Sequence, residues 1–182
     1  DAFFQVSSII TTTGYATVDF DLWPSFSKAL LFLLMFVGGC AGSTAGGVKV
    51  IRILVLFKLI KKEIKKIFHP RAIIPIRAGE DKVIHNDTIT GITSFVALYF
   101  FIFMLSTVLI SLEGIDLEST ITAVAATLGN IGPGFGLVGP ARSFSPFSPL
   151  SKILFSILML LGRLELFTMV ALFAPKSWRN EI

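Results

Sequence analysis

The chain has 182 residues, of which 53% are hydrophobic and 15% charged, with 18 phenylalanines and a formal net charge of +4. A mean hydropathy of +0.80 excludes an ordinary soluble domain, where about a quarter of residues are charged, and places the chain among integral membrane proteins. The single cysteine, Cys40, excludes an intrachain disulfide framework.

Residues 2–10 form an apolar stretch too short to cross a bilayer; as a helix it would reach about 14 Å, roughly half the hydrocarbon core. No basic leader or small-residue cleavage site is visible, so the sequence is expected to begin inside a longer protein. The stretch runs into a Gly-containing turn, Thr12-Thr13-Gly14-Tyr15-Ala16, and then a segment with Asp19 and Asp21 but no nearby Lys or Arg, which suits the outside of a cell.

Residues 27–60 are too long for one span, since a straight helix would reach about 50 Å. Their middle is Gly38-Gly39-Cys40-Ala41-Gly42-Ser43-Thr44-Ala45-Gly46-Gly47, a run that helix propensity disfavours. The expected form is a helix to about Val37, a loop within the membrane, and a basic-ended helix from about Val48. Ten of the sixteen basic residues lie between Lys49 and Lys82, so residues 61–87 are expected to be cytoplasmic. This basic run reads as an orientation signal or a lipid-facing helix end rather than a nucleic-acid site.

Residues 88–112 and 151–174 are each long enough to span, at roughly 36 Å of helix. Between them, residues 117–128 give another half-length helix of about 18 Å, which ends in Asn130-Ile131-Gly132-Pro133-Gly134. Non-helical backbone at membrane depth is tolerated only where protein or a wet cavity surrounds it. Short helix, turn and return is therefore the expected shape of a re-entrant loop.

The chain also repeats itself. Ser27-Lys28-Ala29-Leu30 matches Ser151-Lys152-Ile153-Leu154 at an offset of 124, and Met35, Gly38 and Thr44 match Met159, Gly162 and Thr168 at the same offset. Upstream, Gly14 pairs with Gly132 at an offset of 118. The predicted fold is an all-α integral membrane architecture with repeated outer helix, pore helix, filter loop and inner helix, the first inner helix being broken. Its boundaries are 1–67 for the pore helix, filter and broken inner helix of one repeat, 68–87 for a cytoplasmic linker, 88–175 for a complete repeat and 176–182 for a cytoplasmic tail. Both copies run in the same direction, as in repeats around an axis normal to the membrane.

Potassium channels replace the ion's hydration shell with backbone carbonyls of a Thr-Val-Gly-Tyr-Gly loop, and both turns align with it position by position. The candidate filter residues are Thr12, Thr13, Gly14 and Tyr15, and Asn130, Ile131, Gly132 and Pro133. Thr12 and Asn130 could either add a ligand or brace the turn. Each preceding helix aims its partially negative C-terminal end at the turn, which favours a cation. The competing reading is an ordinary helix C-terminal turn, where Gly is also common.

The Gly-rich break reads as a mobile gate beneath the filter, formed by Gly38, Gly39, Gly42, Ser43, Thr44, Gly46 and Gly47. Its Gly38, Gly42 and Gly46 spacing equally suits a small-residue packing face. Intramembrane charges normally face a bundle interior or a wet cavity. Arg163, with Glu165 two residues on, is thus either a structural brace or an electrostatic barrier in the pore, with Lys49 as a possible neighbour. No Gly-Lys-Ser/Thr ending follows Gly47, which excludes a phosphate loop. Gly42-Ser43 lacks a base for an intramembrane hydrolase, because His69 and His85 fall in the basic linker; no enzyme activity is expected. A non-conducting membrane scaffold is the other alternative.

The Ala41–Lys49 run, the turns at Gly14 and Gly132, Leu161-Gly162-Arg163-Leu164-Glu165-Leu166-Phe167-Thr168, and Ala174-Pro175-Lys176-Ser177-Trp178-Arg179 together resemble the Trk/Ktr/HKT superfamily of potassium transporters, most of all its TrkH/TrkG branch. The resemblance implies a four-repeat pore in a bacterial inner membrane, with this sequence holding the third filter onward and the fourth repeat. It implies potassium sites at Thr12, Thr13, Asn130 and Ile131, a gate loop at residues 38–47, and Arg163 as its charged partner. It further implies a homodimer, contact with membrane lipid, and a TrkA-like cytosolic nucleotide-binding regulatory subunit facing the linker. Potassium is the transported ion and no cofactor is implied. Lacking two filter loops, the sequence alone is not expected to conduct.

Overall fold

Apolar runs bounded by Gly, Pro and acidic residues become six helices in the computed structural model, which describes residues 1–40, 42–43, 45–69, 75–78 and 82–164. They are α1 (Ala2–Ile10), α2 (Ser25–Met35), α3 (Val50–Phe68), α4 (Asn86–Ser111), α5 (Leu117–Leu128) and α6 (Pro149–Arg163). The two half-length helices fall on the predicted residues. Sequence signals at the starts explain two boundaries: Asp116 caps α5 by accepting from the Ser119 N–H at 2.8 Å, and Ser148 caps α6 with Pro149 at its first position.

The expected all-α fold is modified at two points. Within 27–60 the helix stops at Met35 and resumes at Val50, two residues outside the predicted break on each side. The residues in between pair with each other instead. Strands β1 (Val37–Gly38) and β2 (Val48–Lys49) form a two-residue parallel ladder, extended by Val48 N–H to the Phe36 carbonyl at 3.0 Å and Val50 N–H to the Gly39 carbonyl at 3.3 Å. Because the ladder is parallel, α2 enters at its start and α3 leaves from its end, and the Gly-rich segment connects the end of β1 to the start of β2. In the basic linker, β3 (Arg77–Ala78) and β4 (Lys82–Val83) pair antiparallel.

Among the described residues, α4 is the one helix long and apolar enough to cross a membrane. Its 26 residues match a bilayer, and Phe101, Met104, Leu105, Val108 and Leu109 stand exposed along it. Such an uncovered apolar flank suits lipid or another apolar helix rather than water. The opposite flank, with Phe95, Tyr99 and Ile110, packs with Val124 and Leu128 of α5 and with Phe155 and Leu158 of α6. Glu113, just past α4, accepts from the hydroxyls of Ser148 and Ser151 and so ties α4 to the start of α6. Those hydrogen bonds lower the pKa of Glu113.

The predicted span 151–174 is described to Leu164, as α6 to Arg163; residues 165–174, with Glu165, and the tail 176–182 lie outside the described residues, as does Thr44. Arg163 stands in the last described turn of α6.

Close approach of backbones holds the second copy together. A methyl group on Gly162 would overlap the Leu128 carbonyl oxygen and lie 2.8 Å from Asn130 Nδ2, whereas one on Gly91 in α4 would meet nothing within 4 Å. Gly162→Ala is expected to lower the stability of the intact protein by about 1–3 kcal/mol through overpacking, read as a fall in melting temperature in detergent. Gly91→Ala should leave the melting temperature level or raise it slightly. Equal effects of the two would contradict the α5–α6 contact.

Candidate functional site

Both half-length helices end in the same way. The N–H groups of Thr11, Thr12, Thr13 and Gly14 bond the carbonyls of Ser7, Ile9, Ser8 and Ser8 at 3.0, 3.1, 2.9 and 3.4 Å. The N–H groups of Gly129, Asn130, Ile131 and Gly132 bond Ala125, Thr127, Ala126 and Ala126 at 2.8, 3.1, 2.8 and 3.4 Å. Every bond in one set is the other displaced by 118 residues. The residues Thr12 and Asn130 occupy the left-handed region, at φ +55° and +53°, and Gly14 and Gly132 follow at +81° and +108°.

This pattern is a Schellman cap, in which the first residue beyond the helix cap adopts the left-handed conformation, usually as Gly. The helix-terminus reading is therefore correct but incomplete. The glycine is absent from the position the cap requires, which Thr12 and Asn130 fill, and sits two residues later. A β-branched residue at positive φ is a genuine outlier, and such strain persists where surrounding structure over-determines it. The glycines answer a second constraint, and for Gly14 it is visible. A methyl group there would overlap the Ile131 carbonyl oxygen and lie 3.4 Å from Pro133 Cδ. The two turns thus meet backbone to backbone. Gly132 has no such neighbour within 4 Å and needs glycine for its dihedral alone.

Side chains around the turns take distinct roles. Asn130 braces, donating from Nδ2 to the Met159 carbonyl of α6 at 3.0 Å. Thr13 and Thr11 share a hydroxyl hydrogen bond at 2.8 Å, and Ser8 Oγ donates to the Tyr15 carbonyl at 2.6 Å. The Tyr15 side chain is exposed. Ile9, Leu31 and Met35 of the first copy share one buried cluster with Ala125, Ile131 and Phe135 of the second.

The Gly-rich loop reaches the second turn. A methyl group on Gly46 would overlap the Gly129 carbonyl oxygen and lie 3.1 Å from Asn130 Cβ, and one on Gly38 would overlap the Gly46 carbonyl oxygen. Gly46 and Gly47 are buried while Gly42 is exposed at φ +81°. Beside Gly39 stands Ser43, whose hydroxyl is buried without a hydrogen-bond partner. Lys49 lies in β2 at the base of the loop. Gly162, next to Arg163, flanks Asn130 as well, so loop and α6 converge on one turn.

One cluster has no counterpart among the predicted site residues. Lys28 Nζ lies 3.0 Å from Asp21 Oδ1 and 2.5 Å from Glu118 Oε1, and 5.2 Å from the Phe135 ring centre. Asp21 Oδ2 accepts from the Gly136 N–H at 3.2 Å. Burial alone would raise the Asp21 pKa, but the bonds from Lys28 and Gly136 and the charges of Lys28 and Arg142 outweigh it and hold the carboxyl below its ordinary value. The sequence marks Lys28 only as a repeated position; its partners are 7 and 90 residues away, beyond any local pattern.

Residues 1–180 match the family model TrkH, described as "Cation transport protein". The Trk system potassium uptake protein TrkH of Escherichia coli K12 is 43% identical over 98% of this chain, and TrkG of the same strain is 37% identical over 98%. The chain spans 36% of the length of each. The crystal structure of the potassium transporter TrkH from Vibrio parahaemolyticus superposes with a TM-score of 0.86 at 41% identity, covering 97% of this chain and 37% of that one. With a family model covering nearly its whole length, the chain belongs to the TrkH family of cation transport proteins.

Proposed function

We propose that this chain supplies two of the re-entrant filter loops through which a TrkH-type protein takes up potassium across the bacterial inner membrane. The observation that carries the reading is the repeated turn: one set of four hydrogen bonds, with positive φ at the same two positions, at the ends of two half-length helices. In this reading the carbonyls of Thr12, Thr13, Asn130 and Ile131 stand in for the water around the ion. Negative ends of α1 and α5 favour the cation. Two turns do not close a ring, so further turns complete it, from a longer chain or another copy. Relatives named as potassium uptake proteins of a Trk system support the ion and the direction.

Residues 38–47 then form the gate below the second turn, with Lys49, Arg163 and Glu165 as its charged surroundings. The basic segment from α3 onward faces the cytoplasm and a TrkA-like nucleotide-binding regulator, and the intact protein works as a homodimer in contact with lipid.

The two glycines should differ. In the intact transporter, Gly14→Ala is expected to abolish potassium uptake, because it meets both a strained dihedral and the Ile131 carbonyl. Gly132→Ala meets only the dihedral, about 1–3 kcal/mol, and should lower the preference for potassium over sodium while retaining flux. Ion-competition uptake in a strain without other potassium importers distinguishes them, and wild-type selectivity in both variants would sink the filter reading.

Arg163→Ala is expected to raise basal potassium flux by removing a positive charge from the ion path. Unchanged flux, together with unchanged control by the regulator, would assign Arg163 to bracing the end of α6.

A further inference from the structure

We propose that Lys28 is a positioning residue for ion discrimination: bound to Asp21 and Glu118, its ammonium group fixes the segment that follows the second turn against the first copy. The inference rests on the filter reading of the two turns and names what holds one of them in place.

The second turn continues as Gly134-Phe135-Gly136-Leu137, and this segment is fixed at every step. Its own pore helix supplies two anchors, since the Phe135 N–H donates to Thr122 Oγ1 at 3.0 Å and the Leu137 N–H to Ser119 Oγ at 2.8 Å. Gly134 N–H bonds the Val138 carbonyl at 2.7 Å. The remaining anchor comes from the other copy, where Asp21 takes the Gly136 N–H and Phe20 meets the Phe135 ring edge-on at 5.5 Å.

Asp21 can do this only while its carboxylate is oriented, and Lys28 orients it. The lysine side chain is 22% exposed and that of Asp21 17%, so solvent screens this pair less than a surface ion pair. From the first turn of α2 the same ammonium reaches Glu118 in the first turn of α5 and covers the Phe135 ring. One cation therefore joins α2, the Asp21 loop, α5 and the exit of the second turn. Three of the four line a cleft of about 380 Å³, in which Ser25, Lys28 and Phe32 of α2 face Glu118 and Thr122 of α5 and Phe135. Removing one partner of a shielded pair leaves the other charge uncompensated, so loss of Lys28 frees Asp21 and with it the Gly136 N–H. The displacement passes along three residues to Gly132, where small shifts in carbonyl position separate potassium from sodium.

The test uses the intact transporter in cells lacking other potassium importers, with Gly132→Ala as the marker for the filter itself. Lys28→Met keeps the stem and removes the charge; it is expected to reduce the potassium-over-sodium uptake ratio about tenfold at an unchanged membrane level of protein. Lys28→Arg should restore the ratio to within about twofold. Asp21→Asn should reproduce the loss, and the double variant should be no worse than either alone, as befits one network. If Lys28→Met fails to accumulate, Asp21→Asn and Glu118→Gln carry the same expectation. A wild-type ratio in these variants while Gly132→Ala loses selectivity overturns the inference and leaves the filter reading standing. A fall in flux without a change of ratio reduces Lys28 to a structural role and also overturns it. Wild-type ratios throughout, Gly132→Ala included, overturn both.

Discussion

A helix half as long as a bilayer is thick must end inside the protein, and its last carbonyls must find donors there. The rest of this structure depends on how α1 and α5 meet that demand. Each turns its next residues back so that their N–H groups cap its own final turn, which leaves the cap independent of water and of neighbouring helices. The cost is a left-handed residue at Thr12 and Asn130, and neither is glycine. Neighbours hold the strained position instead: Asn130 hangs on the Met159 carbonyl, and Ile9 and Ile131 are locked in one apolar cluster. With the cap satisfied, glycine is released to the place where the turns meet, at Gly14 against Ile131.

Whatever depends on runs of residue type was legible in the sequence. The bounds of α1 and α5 follow from short apolar stretches between polar ones, the break after α2 from ten residues rich in glycine, and the paired turns from two offsets in one repeat. Features made through space were not. The ladder joining Val37 and Gly38 to Val48 and Lys49 is two residues long, too short for any period to announce it. The Asp21–Lys28–Glu118 cluster uses three ordinary polar residues that look like solvated loop and helix ends. The distinction between Gly14 and Gly132 was equally hidden, because both are glycine at positive φ and only one has a backbone against it.

The copies also show how a repeat can be kept in sequence and diverge in use. Lys28 and Lys152 occupy one repeat position, yet the first ties two copies together and the second donates to the Ser145 carbonyl of its own loop at 3.0 Å. Gly38 and Gly162 share another. Each allows a backbone to approach closely, but Gly162 receives the end of α5 and Gly38 receives Gly46 of the inserted loop.

The divergence starts at a single residue. Met35 ends α2, whereas its counterpart Met159 lies inside α6, which runs on to Arg163. Both carbonyls nonetheless face the second turn: Met159 accepts from Asn130, and a methyl group on Gly129 would lie 3.1 Å from the Met35 oxygen. The loop leaves α2 where that helix touches the turn, and returns to touch the same turn with Gly46. A displacement of the loop therefore cannot occur without altering the surroundings of Gly129 and Asn130. Stopping α2 at this level, rather than a turn earlier or later, is what couples the Gly-rich segment to the second turn.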